Sequence, residues 1–179
     1  GARLLARGYE PVHRIAEGAD LAFAALDVPG RPERGPSFVA LAPISRATRR
    51  VDGPGPDATD ADRPAHFATA AEVAATLETL SRRHHVRFRL PSIDEIVRLQ
   101  GLGAGHRAQP LFGEPLWNRH FVDAADAPLS PPQGVPEWCA TQTETVVREH
   151  HDKGLRQPTV SLRRARMVAR LAFDVEARA

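Results

Sequence analysis

This chain is short of the residues that usually announce a function. Its 179 residues include one cysteine, one methionine, one tyrosine and two tryptophans. A lone Cys139 excludes an internal disulfide framework and any metal site built from several thiolates. A reducing, cytoplasmic setting is therefore expected. Lysine is nearly missing too: of 24 basic residues only Lys153 is a lysine, a bias that suits a GC-rich genome. Aromatic residues make up only 6%. No apolar run approaches the roughly 18–20 residues that cross a bilayer, and no signal peptide is visible, so no membrane partner is expected. Neither G-x-S-x-G, H-E-x-x-H nor a P-loop occurs, which leaves hydrolase and nucleotide chemistry without a motif. The phosphate-loop look of "GLGAG" (101–105) is superficial, because it follows a helix instead of a strand. It reads as a flexible C-cap.

What the chain does have is turn material: 16 prolines and 13 glycines, which favour a loop-rich fold over a helical bundle. Its length and 42% hydrophobic content suit one domain over residues 1–179, with enough material for a real core. It opens at Gly1 without a methionine, as expected of a domain cut from a longer protein. Net charge is +2. Nucleic acid is not an expected partner: the basic runs "RRHHVRFR" (82–89) and "RRARMVAR" (163–170) match no reader motif, and acidic residues are interspersed along the chain.

Along the chain, residues 19–28 suit a strand or short helix, and "SFVALAPIS" (37–45) a strand stopped by Pro43. Residues 51–64, rich in Gly, Pro and Asp, read as loop. The clearest helix covers residues 68–85. Thr69 and Glu72 make a capping box, Val73, Leu77 and Leu80 share a face, and Arg82, Arg83 and His84 complement the dipole in the last turn. In "VRFRL", Val86, Phe88 and Leu90 alternate with Arg87 and Arg89, the pattern of a half-buried strand that Pro91 ends. Ser92 and Glu95 form a second capping box, followed by a stripe of Ile93, Ile96, Val97 and Leu99, with Gly101 as C′ residue. Residues 101–136 read as a long loop, a usual place for a functional surface. "REHHDKG" (148–154) reads as a solvated helix end or turn. In the last segment Met167, Ala169, Leu171, Phe173 and Val175 alternate with Arg170, Asp174 and Glu176, as in a strand facing the core on one side. A helix with Val168, Leu171 and Val175 as its stripe also fits.

The order of helix, "FRLPSIDEI", loop, "EWC" and final strand resembles the formylglycine-generating-enzyme-like (sulfatase-modifying factor) domain family. Arg89, Leu90, Pro91, Ser92 and Glu95 match its "yRLPTEAEWE" motif, with Ile96 where tryptophan is usual. Trp117 and Asn118 resemble a degraded "WGN". Val135, Glu137 and Trp138 match "GNVWEW", with Gly134 and Pro136 as departures. Phe173 and Val175 match the terminal "GFRVA", with Asp174 in place of arginine. The resemblance runs over roughly residues 35–179. It implies an α+β, C-type-lectin-like fold that is loop-rich, with short antiparallel strands and two main helices. It also implies that Pro91, Ser92 and Glu95 are structural.

The formylglycine-generating oxidases of that family use two cysteines to bind copper(I), and this chain has one. The resemblance therefore implies no cofactor, no metal and no catalytic residue here. It points to a non-catalytic recognition module within a larger signalling, defence or modification protein. Other relatives are iron-dependent sulfoxide synthases, so a metal-dependent oxidase or oxygenase with unrecognised ligands is the alternative. His84–His85 and "EHHD" (149–152) invite it, but adjacent histidines point to different faces and make no ready chelate. Loops on a rigid base are where binding groups are usually placed. The expected ligand contacts are Trp117, Asn118, Arg119, His120, Glu137 and Trp138, reached through loop 102–137 by a protein or small molecule. Other domains of the same polypeptide are expected partners. For both tryptophans, packing in the core is the competing reading.

Overall fold

In the computed structural model, residues 12–15, 19–26, 37–40, 42–50, 64–104, 135–151, 154–158 and 167–174 are described. They form a mixed α+β arrangement. Strands β1 (Val12–Arg14), β2 (Ala22–Leu26), β3 (Ser37–Ala40) and β7 (Ala172–Asp174) make one antiparallel sheet in the order β1-β2-β3-β7. Strands β4 (Pro136–Ala140), β5 (Thr145–His151) and β6 (Gly154–Arg156) make a second. The helices are α1 (Arg46–Arg49), α2 (Ala70–His84) and α3 (Ile93–Ala104). A single 3-10 turn, Ala19–Leu21, leads into β2, so residues 19–26 are helical turn and strand in succession.

The two sheets are joined by extended segments that belong to neither ladder along most of their length. Arg89 pairs with Ala172, Ser92 with Ala140, and Glu137 with Val168 through isolated bridges. Residues 86–90 keep the expected alternation: Val86, Phe88 and Leu90 are buried and Arg87 is exposed. They form no continuous strand, however: Arg89 bridges to Ala172 on β7 in paired bonds of 2.8 and 2.9 Å, and Val86 is a separate isolated bridge residue. The core gathers around four phenylalanines. Phe173 stacks on Phe38 at 4.8 Å and meets Phe23 edge-on at 4.9 Å, while Phe88 lies 6.0 Å from Phe23. Such offset and edge contacts add roughly 0.5–1.5 kcal/mol per pair beyond the burial itself. Few aromatics suffice because they are concentrated.

Helix α2 begins as the capping chemistry requires. Thr69 Oγ1 accepts from the Glu72 amide at 3.2 Å, and the Glu72 carboxylate accepts from the Thr69 amide at 3.3 Å. Val73 and Leu80 are buried, with Leu77 packed beside the core. The helix stops at His85, which takes the left-handed conformation at φ 54°. Helix α3 starts on the second capping box and packs on β2, β3 and β6. Two expectations for it are corrected. Gly101 does not end it, since the helix runs to Ala104. Val97 is 40% exposed, while Ile96 and Leu99 are fully buried, so the stripe is narrower than the composition suggests.

Two further corrections concern the last third of the chain. "REHHDKG" is no solvated helix end, because residues 145–151 form β5, with Glu149 and His150 buried. The final segment is extended and not helical, but it does not alternate between core and solvent. Every residue from Met167 to Phe173 is buried, Arg170 included, and Asp174 alone of the expected outward set is seen to face solvent. The reason is position: this segment lies between the two sheets, hydrogen-bonded to residues 40, 44 and 67 on one side and to residues 136 and 138 on the other. Residues 51–63 and 105–134, expected to be loop, lie outside the described residues, as do Val175 and Glu176. No described helix is long and apolar enough to cross a membrane.

Candidate functional site

The "RLPS" turn is held by one guanidinium. Arg89 donates from Nη1 to Glu95 Oε1 at 2.7 Å and from Nη2 to Glu95 Oε2 at 3.0 Å. It also donates from Nε to Asp174 Oδ2 at 3.0 Å and from Nη2 to Asp174 Oδ1 at 2.8 Å. Nη1 makes a further bond to the Leu90 carbonyl at 3.1 Å. A guanidinium has five N–H donors, so all of them are accounted for. Two bidentate carboxylates on one arginine tie the end of the chain to the first turn of α3. Asp174 is thus one arm of this clamp.

Glu95 serves two structures at once. Its Oε1 accepts from the Ser92 amide at 2.9 Å, and Ser92 Oγ accepts from the Glu95 amide at 3.1 Å, the reciprocal pair of a capping box. Burial alone would push its carboxyl up, but hydrogen bonding and charge from Arg89, with help from Ser37 and Ser92, hold it down at about 2. Pro91 is buried and its carbonyl accepts from the Ala140 amide at 2.9 Å. Pro91, Ser92 and Glu95 are each engaged in joining the turn to its neighbours.

Beside this clamp lies an open groove of about 840 Å³. Helix α2 contributes Leu77 and Ser81, the extended segment contributes Arg87 and Phe88, and the β4–β5 hairpin contributes Thr141 and Thr145. Arg89, Glu95 and Asp174 line it as well. Its walls therefore combine apolar side chains, hydroxyls and charges of both signs. The Arg87 guanidinium is exposed and makes no ion pair among the described residues.

A second charged cluster sits inside the protein. Glu137 is fully buried on β4, where its Oε2 accepts from Arg170 Nε at 2.8 Å and its Oε1 from Arg170 Nη2 at 3.0 Å. His150 Nε2 lies 2.8 Å from the same Oε1. The β4–β5 register explains the meeting: Glu137 faces Arg148, and His150 is two residues further along the same face. Arg170 Nη1 reaches the Ala40 carbonyl at 3.3 Å, so the guanidinium spans from β4 to β3. Burial would raise the Glu137 carboxyl, but the charge of Arg170 and the His150 contact outweigh it and hold it below the usual range.

Of the residues expected to meet a ligand, Glu137 and Trp138 are both buried. Trp138 Nε1 donates to the Phe67 carbonyl at 2.9 Å, the satisfied indole of a packed tryptophan. Both side chains are engaged within the fold, and neither lines the groove. Trp117, Asn118, Arg119 and His120 lie outside the described residues. Cys139 is buried on β4, and burial together with the charge of Glu137 pushes its thiol up to about 12. It is a thiol, not a thiolate, at neutral pH. Among the described residues no group of three His, Cys, Asp or Glu side chains could hold a metal ion.

Sequence reasoning does not single out Arg170 and His150 as partners of Glu137. One signal for Arg170 exists: it is the only charged residue between Met167 and Phe173, and a lone charge inside an apolar run marks a paired, buried group. For His150 there is no such signal, since β5 is polar on average. Searches of protein-family models, curated proteins and solved structures return no match to this chain.

Proposed function

We propose that this protein is a non-catalytic recognition module on a C-type-lectin-like scaffold of the formylglycine-generating-enzyme kind, acting inside a reducing compartment within a larger protein. The observation that carries the reading is the open groove of about 840 Å³ beside the "RLPS" turn, walled by α2, residues 87–90, the β4–β5 hairpin and β7. Its frame is rigid where rigidity matters: the Arg89 clamp and the Ser92–Glu95 box fix one wall. Its lining mixes apolar surface with hydroxyls and charges, a composition suited to binding a ligand. The groups with chemical potential are occupied elsewhere. Cys139 is a buried thiol with its ionisation suppressed, and Glu137 is held by Arg170 and His150. Peptide segments of a protein partner fit such an open cleft better than a small metabolite, which needs enclosure.

The test is selection of binders from a random peptide library, followed by titration of the enriched peptides against three variants. Leu77→Arg and Thr145→Arg lie in the groove, and Val97→Arg, on exposed α3 surface, is the control. At least tenfold weaker binding by the two groove variants, with folding intact by circular dichroism and the control unchanged, supports the reading. Equal binding by all three, or no enrichment, overturns it. Stoichiometric iron or copper in untagged protein, lost on His150→Ala with His151→Ala, would instead favour the metal-dependent oxidase.

A further inference from the structure

We draw no further inference here: the strongest candidate, the groove between α2, the β4–β5 hairpin and β7, belongs to the site already described, and its lining sets the exposed guanidinium of Arg87 beside the exposed carboxylates of Glu78 and Asp174, so nothing in the structure shows what covers it.

Discussion

Arg170 sets Nε and Nη2 against the two carboxylate oxygens of Glu137, at 2.8 and 3.0 Å, and neither side chain reaches solvent. The pair links β4, in one sheet, to a segment that bonds the other sheet at Ala40. Removing a charge from water costs several kcal/mol, and mutual attraction recovers this only with good geometry. Here the geometry is bidentate, and His150 adds a third contact.

Breaking that pair from one side should therefore be severe. Arg170→Met is expected to lower stability by about 3–5 kcal/mol, because Glu137 keeps its charge in the interior with only His150 beside it. Adding Glu137→Leu should restore part of the loss, since no orphaned carboxylate then remains. Urea unfolding of the two single variants and the double variant measures this. A loss below about 1 kcal/mol for Arg170→Met would show that the pair does not hold the sheets together.

Glu95 dictates an acid limb of the stability curve. Its carboxyl titrates at about 2 in the folded protein, below the ordinary 4.5. The folded form therefore gains stability above pH 4.5 and loses it as pH falls from 4.5 towards 2. The loss should be roughly 2–3 kcal/mol, because each tenfold change in proton affinity is worth about 1.4 kcal/mol and the partly exposed Arg89 is screened by solvent. Glu95→Gln should be less stable at pH 7 and flatter below pH 4.5. Urea midpoints at a series of pH values would show it; parallel acid limbs for the two proteins would remove Glu95 as the cause.

His85 is a site where the protein can be improved. It holds φ 54° at the C-cap of α2, a conformation that costs an L-residue roughly 1–2 kcal/mol and glycine almost nothing. After the extra chain entropy of glycine is subtracted, His85→Gly should stabilise by about 0.5–1 kcal/mol. That corresponds to about 1–4 °C in Tm for a chain of this size. His85→Val should destabilise. A lower Tm for the glycine variant would mean that the imidazole itself makes the cap.

Cys139 should be silent while the protein is folded. With its thiol pushed up to about 12 and no exposed surface, it should react with iodoacetamide at pH 8 at least a hundred times more slowly than a free thiol. In urea it should react at the ordinary rate. Rapid alkylation of the native protein, followed by mass spectrometry, would contradict the buried assignment.

Ser92 should matter more than its exposure suggests. Ser92→Ala removes the acceptor for the Glu95 amide and should cost about 1 kcal/mol. Because Glu95 also binds Arg89, a double cycle with Arg89→Gln should show coupling, whereas Thr69→Ala at the other capping box should simply add. Additive energies for Ser92 and Arg89 would separate the cap from the clamp.

How much is legible in the sequence depends on distance along the chain. Both capping boxes, the start of α2 and the alternation of Val86, Phe88 and Leu90 are local patterns, in which every partner lies within a few residues. They are present as expected. The end of α3 is not legible in this way, because glycine permits termination without requiring it, and the helix runs on to Ala104. The alternation at residues 167–174 signals an extended segment, but the same pattern does not say whether one face or both will be covered. Arg170 reads as outward for that reason, and it is buried.

The amino-acid order by itself determined where both long helices are capped and how Val86, Phe88 and Leu90 alternate, since those features rest on hydrogen bonds between near neighbours and on a two-residue period. It could not decide which charges go inside. Glu137 meets Arg170 across 33 residues and His150 across 13, and Arg89 meets Asp174 across 85. Whether such a charge is buried depends on the partner that the assembled sheets deliver, because an ion leaves water only when another fills its place. Tertiary structure alone settled that, and with it the clamp and the groove beside it.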